Sequence, residues 1–321
     1  MPAPPDLLEL VVAARAPQAE GVAWLELRDP RGAPLPPFTP GAHIDLYLPG
    51  GLVRQYSLCN DSEERDRYCL GVGLAPDSRG GSRYVHFALQ SGARVAVGYP
   101  RARFGLAPAA GRHRFIAGGI GITPFLSMIH WCERHGADWE LLYCVRSRGR
   151  AGWREALLGH GARARLHADD EHGGPADILA WLDGQRPGDH VYCCGPGPLM
   201  DAVADAAGRL GMARGSVHFE RFAAPGETVR QGDRAFTISL RRSGLELQVP
   251  ADASMLDAVE AAGIATPSSC REGLCRSCEV TLLAGIADHR DYVLSDEERA
   301  AQRSVMLCVS RACTERLELD L

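Results

Sequence analysis

Cys270, Cys275 and Cys278 stand in the spacing C-x4-C-x2-C, and Cys308 follows thirty residues later. A chain with this pattern is tightly constrained, because two irons and two bridging sulfides need four thiolates brought to one point by a close backbone wrap. Residues 268–278 must therefore form a loop, and Gly273 with the short Ser268, Ser269 and Ser277 permits it. Structural zinc sites usually present two close pairs of ligands, whereas Cys308 has no such partner in sequence. The spacing thus reads as a plant-type 2Fe-2S cluster held by Cys270, Cys275, Cys278 and Cys308, with Cys313 a bystander.

The rest of the chain must supply the electrons. Its 321 residues allow two or three domains, with 45% hydrophobic and 23% charged residues as in an ordinary globular protein. Lys plus Arg number 35 against 40 Asp plus Glu, and no long basic run is present, so nucleic acid is not an expected partner. The first residues lack the basic and apolar regions of a secretion signal, and the most apolar stretch, 115–129, is interrupted by glycines and Pro124. No membrane span is expected. Seven of the eleven cysteines lie outside the ligand set, an odd number that suits a reducing cytoplasm better than a disulfide framework.

Three regions follow from the pattern of short elements. Residues 7–13, 22–28, 43–48, 53–58, 68–72 and 94–98 read as strands punctuated by Pro and Gly, which predicts an antiparallel β-barrel. Strand, glycine turn and helix then alternate: 114–117 with 124–134, 140–145 with 153–158, and 190–193 with 199–210. That rhythm predicts a parallel α/β domain. After the polar stretch 223–228, strands at 236–240 and 246–249 and a helix at 255–262 precede the cysteine loop. The expected division is 1–108, 109–223, a linker at 224–233, and 234–321.

Within the barrel, Arg54, Tyr56 and Ser57 end one strand with chemistry that suits a flavin. A tyrosine ring can lie along an isoalloxazine, a hydroxyl can bond to its N5 edge, and a guanidinium can neutralise a phosphate. Arg79, Gly80, Gly81 and Ser82 form a glycine loop before an expected helix at 84–90, able to aim amides at a phosphate. The turn containing Gly118, Gly119, Gly121, Thr123 and Pro124 follows an apolar strand and opens a helix, Thr123 fitting N-cap and Pro124 the first helical position. It departs from the G-x-G-x-x-G fingerprint of the doubly wound dinucleotide fold. Cys194, Gly195 and Pro196 repeat the arrangement after a later strand, Cys194 ending it where a nicotinamide could rest.

Together with His218-Phe219-Glu220, Asp288-His289-Arg290-Asp291 and Cys308-Val309-Ser310-Arg311, these stretches resemble, along nearly the whole chain, the phthalate dioxygenase reductase and vanillate demethylase reductase family. That family lies within the ferredoxin-NADP reductase superfamily. The resemblance implies an FMN barrel, an NAD domain and a C-terminal β-grasp ferredoxin domain. It implies that Arg54, Tyr56, Ser57 and the 79–82 loop hold FMN, that Thr123, Cys194 and Glu220 surround the hydride path, and that Phe222 shields the flavin where nicotinamide enters. The implied acceptor is a Rieske-type terminal oxygenase docking near the cluster, and the implied state is a monomer. Two departures stand out: relatives carry basic residues where this chain has Gly73-Leu74, and Arg276 occupies a place often held by glycine.

Nicotinamide delivers two electrons at once whereas an oxygenase iron centre takes them singly, so a flavin must stand between donor and cluster. After the strand at 141–145 comes Arg146-Ser147-Arg148-Gly149-Arg150, where the adenosine ribose should sit with Arg146 beside it. No acidic residue follows the strand directly. Relatives with the Arg-Ser pair commonly use NADH, which is the expected coenzyme, with NADPH the alternative. The rival functions are a reductase for a cytochrome P450 or a general diaphorase and, in another class, a non-enzymatic iron-sulfur redox sensor.

Overall fold

The computed structural model describes residues 7–76, 78, 80–224 and 232–321. Alternate residues of the N-terminal strands, Leu10 and Val12, Leu25 and Leu27, Ile44 and Leu46, Leu70 and Val72, are buried with the period of two that a half-buried strand requires. These strands are β1 (Leu7–Ala19), β2 (Val22–Arg28), β3 (Ala42–Leu48), β4 (Leu52–Ser57), β5 (Tyr68–Gly73), β6 (Arg94–Gly98) and β7 (Arg101–Ala102). They pair antiparallel in the order β4-β3-β6-β1-β2-β5, with β7 on β3. The ring closes where Leu58 bridges Leu70 and the Cys59 N–H donates to the Cys69 carbonyl at 2.9 Å. Helix α1 (Gly81–Phe87) lies against the barrel, with Val85 buried in its core. It begins at Gly81 rather than Tyr84, since Gly80 at φ 93° supplies the turn into it.

A five-stranded parallel sheet follows: β8 (Arg112–Gly118), β9 (Trp139–Val145), β10 (Ala164–Ala168), β11 (Asp189–Cys194) and β12 (Val217–Glu220), in the order β10-β9-β8-β11-β12. Helices α2 (Thr123–His135), α3 (Arg154–Leu158), α4 (Asp169–His172), α5 (Ile178–Leu182) and α6 (Gly197–Arg209) connect them. The strand order reverses between β8 and β11, which opens a crevice at their carboxyl ends where ligands bind in such sheets. Barrel and sheet share a core: Cys59, Cys69 and Phe104 pack with Phe115, Phe125 and Tyr192. Barrel and sheet belong to one compact unit, which parts from the C-terminal unit between Phe222 and Ala223.

The C-terminal unit contains β13 (Phe236–Leu240), β14 (Leu245–Val249), α7 (Met255–Ala261), β15 (Glu279–Ala284), β16 (Ala287–Asp288), α8 (Asp296–Ala301), β17 (Ser304–Met306), β18 (Arg311–Ala312) and β19 (Arg316–Leu319). Its main sheet runs β14-β13-β19-β15-β17, with β13 and β19 parallel, the arrangement of a β-grasp. Ser254 and Asp257 form a capping box that starts α7, whose Leu256 and Val259 join Ile238, Leu240 and Leu317 in the core. Among the described residues, no helix is long and apolar enough to cross a membrane. Most of the expected linker, residues 225–231, lies outside the described residues.

Candidate functional site

On the barrel, β4 carries Arg54, Tyr56 and Ser57, and Arg54 reaches the start of α1. A Cβ on Gly81 would lie 2.6 Å from Arg54 Cγ and 2.9 Å from its Nε, so the bare glycine lets the arginine cross the start of the helix. Ser82 Oγ donates to Ser78 Oγ at 2.9 Å and accepts from the Ala75 N–H at 3.2 Å, holding the loop together from within. Tyr56 is half-buried and its hydroxyl is pushed up to about 12 by burial. Ser57 Oγ is fully enclosed and has no hydrogen-bond partner among the described residues. An enclosed hydroxyl without a partner is costly, which fits a polar ring edge that completes it. Arg79 lies outside the described residues.

At the crevice the two glycine turns interlock. A Cβ on Gly121 would stand 2.1 Å from the Cys194 carbonyl oxygen, one on Gly195 2.9 Å from Gly118 Cα, and one on Gly118 2.5 Å from Pro196 Cδ. Gly118, Gly121 and Gly195 are thus occupied by each other's turn. Gly119, at φ 55°, has nothing within 4 Å of its Cβ position and is the member open to an approaching phosphate. Thr123 is no N-cap. A 3-10 turn at Gly119–Ile122 runs straight into α2, so Thr123 is already helical and its Oγ1 donates to the Ile120 carbonyl at 3.0 Å. Pro124 is buried in the first turn of the helix.

β12 places Glu220 in register with Cys194 at the end of β11. Glu220 Oε2 is enclosed without a partner among the described residues, and burial pushes its carboxyl up to about 8. Burial, with Glu220 as the next contribution, also drives the Cys194 thiol well above its usual range, which leaves it a neutral, compact wall. Two residues earlier His218 stacks on Tyr192 at 4.7 Å, and its Nε2 meets His190 Nδ1 at 2.9 Å, so the strand ending in Glu220 is anchored. Phe222 follows with 45% of its surface exposed, and Arg146 is exposed after β9.

Sequence reasoning missed Trp153, which was expected to begin α3. It adopts φ 54°, and its indole reaches the barrel, where a Cβ on Gly71 would be 2.5 Å from Trp153 Cη2 and 2.5 Å from Thr123 Cγ2. The signal was present, because a glycine inside a strand marks close approach. Gly73 has the same explanation: a Cβ there would be 3.1 Å from Ile120 Cβ. The departure from basic residues at this point accompanies a bulky neighbour in the glycine turn.

In the C-terminal unit the cysteine loop folds around sulfur. Cys270 Sγ accepts the N–H groups of Glu272 and Leu274, each at 3.3 Å, and Cys275 Sγ accepts the Cys270 N–H at 3.5 Å. The thiol of Cys270 meets those of Cys275 and Cys308, and Cys308 meets Cys278. These shared protons hold Cys270 and Cys278 low and push Cys275 and Cys308 up. No three such side chains among the described residues surround one metal ion. The contacts run from Cys275 through Cys270 and Cys308 to Cys278, which gathers the four thiols that a two-iron cluster requires. Gly273, at φ 70°, would place a Cβ 2.7 Å from Val309 Cγ2 and 2.9 Å from Asp291 Cα, so only glycine closes this wrap. Arg276 is also left-handed, at φ 55°, which explains why glycine suits its place. Its guanidinium reaches the Val293 carbonyl at 2.8 Å and pairs with Glu298 and Glu279. Cys313 is exposed, whereas Cys275, Cys278 and Cys308 are buried and Cys270 is half-buried.

A family profile described as a 2Fe-2S iron-sulfur cluster binding domain matches residues 238–313. The chain is 45% identical over 314 residues to the phenoxybenzoate dioxygenase subunit beta of Ectopseudomonas oleovorans, covering 98% of this chain and 97% of the relative. It superposes on phthalate dioxygenase reductase, a structure described as modular for electron transfer from pyridine nucleotides to [2Fe-2S], with TM-score 0.74 and 40% identity over 98% of both chains. A type IV self-sufficient cytochrome P450 monooxygenase gives TM-score 0.89 and 38% identity over 98% of this chain, which spans 41% of that longer one.

Proposed function

The chain belongs to the phthalate dioxygenase reductase family, and from that premise we propose that it is the reductase component of a Rieske-type oxygenase or demethylase. It passes electrons from NADH through FMN and a 2Fe-2S cluster to the oxygenase protein. The observation that carries this reading is one chain holding both a parallel-sheet crevice whose Glu220 Oε2 is enclosed without a partner among the described residues and a cysteine loop whose amides point at sulfur and whose three thiols gather with that of Cys308.

FMN, when bound, accepts a hydride and releases electrons one at a time. In this reading Arg54, Gly80, Gly81 and Ser82, with Arg79, hold its phosphate, Tyr56 lies along the ring and Ser57 donates to its edge. Gly119 admits the coenzyme's pyrophosphate, while Gly118, Gly121, Gly195 and Pro196 fix the two turns that shape its seat. Thr123, Pro124 and Cys194 wall the nicotinamide end. Glu220, neutral below about pH 8, can donate a hydrogen bond there without placing a charge beside the ring. Phe222 covers the ring face and yields to the nicotinamide, and Arg146 meets the adenosine ribose. Cys270, Cys275, Cys278 and Cys308 hold the cluster, and the amides of Glu272 and Leu274 tune it through sulfur.

The proposed division is an FMN barrel at 1–108, an NAD domain at 109–223, a linker at 224–233 and a ferredoxin domain at 234–321, in a cytoplasmic monomer. A second reading, delivery to a cytochrome P450, is favoured by the likeness to the P450-fused reductase. A reconstitution panel decides between them. Substrate turnover with a Rieske oxygenase and little with a P450 is the expected outcome; efficient reduction of the P450 alone would reverse the assignment.

A further inference from the structure

The loop after β9 carries Arg146, Arg148 and Arg150, and arginines beside a ribose ordinarily invite a 2'-phosphate. Two of the three are already engaged. Arg148 lies on Glu171 in a bidentate pair, Nε to Oε1 and Nη2 to Oε2, both at 2.6 Å. Arg150 Nη2 donates to Glu20 Oε1 at 2.9 Å, and the Glu20 N–H donates to the Gly149 carbonyl at 2.9 Å, which ties the loop to the β1-β2 turn of the barrel. Glu171 arrives from the neighbouring strand. β10 pairs with β9 so that Ala168 stands opposite Val145, and the Asp170 N–H donates to the Arg146 carbonyl at 3.2 Å. The acidic residue absent after β9 in the sequence is therefore supplied in space by α4.

We infer that Glu171 sets the coenzyme preference by holding Arg148 away from a 2'-phosphate, an inference that rests on reading this chain as a nicotinamide-dependent reductase. A 2'-phosphate, with a charge near -2, must break the pair and then sit beside the released carboxylate. A free 2'-hydroxyl requires neither. The pair is half-exposed and adds little to folding, but selectivity depends on the difference between two coenzymes rather than on stability. Glu171 is a positioning residue acting through Arg148.

Steady-state kinetics of the intact reductase with NADH and NADPH, ferricyanide as acceptor, provide the test. Glu171→Gln should raise kcat/KM for NADPH about tenfold, chiefly through KM, equivalent to about 1.4 kcal/mol. NADH should stay within about twofold. Glu171→Asp should retain the wild-type preference, and Arg148→Gln combined with Glu171→Gln should abolish the gain, since the gain depends on Arg148. Inhibition by 2',5'-ADP against NADH should tighten in Glu171→Gln alone. Unchanged NADPH kinetics in Glu171→Gln, or a gain that survives the double substitution, overturns the inference. Wild-type protein that oxidises neither coenzyme overturns the reductase reading itself, a result distinct from an altered preference.

Discussion

Around Cys270 the amides of Glu272 and Leu274 already point at sulfur, and the glycine that closes the loop has no room for another side chain. At the carboxyl ends of β8, β11 and β12 the backbone is just as closely fitted, yet Glu220 Oε2 there, like Ser57 Oγ on the barrel, is enclosed without a partner among the described residues. The difference follows from what each region receives. A resident cluster is wrapped once, by amides local in sequence that already point at its sulfur atoms, although Ser277 Oγ in the same loop is enclosed without a partner among the described residues. A coenzyme that comes and goes needs a rigid seat with a few donors and acceptors held in reserve.

The largest effect should come from opening the wrapped region. Cys275→Ser should remove the cluster absorption and lower electron transfer to the oxygenase at least about 100-fold, while NADH still bleaches the flavin; stopped-flow absorption separates the two steps, and loss of flavin reduction as well would mean that the regions are not independent. Next is the interlock. Gly121→Ala drives a Cβ into the Cys194 carbonyl at 2.1 Å, and it should destabilise the barrel-sheet unit by about 3 kcal/mol and raise KM for NADH, as chemical denaturation and kinetics would show.

Glu220→Gln sharpens the comparison through pH. The folded carboxyl titrates at about 8 against an ordinary 4.5, so the unfolded chain loses this proton first. Stability from this group is full below about 4.5, declines as pH rises, and is gone above about 8. Without coenzyme, the wild type should lose roughly 1.4 kcal/mol per pH unit relative to Glu220→Gln across that window. Its hydride transfer should fall as pH passes 8 while the variant's stays flat. Parallel profiles would place the proton elsewhere. The smallest effect belongs to Arg276→Gly, which relieves a left-handed arginine and removes a charge already paired with Glu298 and Glu279. Stability should change by less than about 1 kcal/mol and the cluster potential not at all; a shifted potential would show that the pairing does not neutralise the charge.

The comparison also explains what was legible in the sequence. The cysteine loop was, because its chemistry is written within eleven consecutive residues plus Cys308. Strands β2 to β6 and the three principal helices of the sheet domain were readable from alternation and glycine turns, near their observed limits, whereas β1, read as 7–13, runs on to Ala19. β10 and β12 were not: Ala164–Ala168 is a short edge strand with polar side chains, and Val217–Glu220 has only four residues to show a period. Strands β17 and β18 escaped for the same reason, having three and two residues and being set between loops. Glycines 118 and 121 were recognised as special, but a sequence does not distinguish a glycine facing a phosphate from one facing the next turn. Glu171 was invisible because its partner Arg148 lies on another strand's loop, 23 positions away.

An anaerobic absorption titration of the purified, reconstituted protein with NADH tests the central claim most directly. Flavin and iron-sulfur bands should both bleach, with the cluster reduced through the flavin, and NADPH should do so far less readily. Absence of both bands after reconstitution, or bands that NADH leaves untouched, would contradict the account of this chain as an electron-transfer reductase.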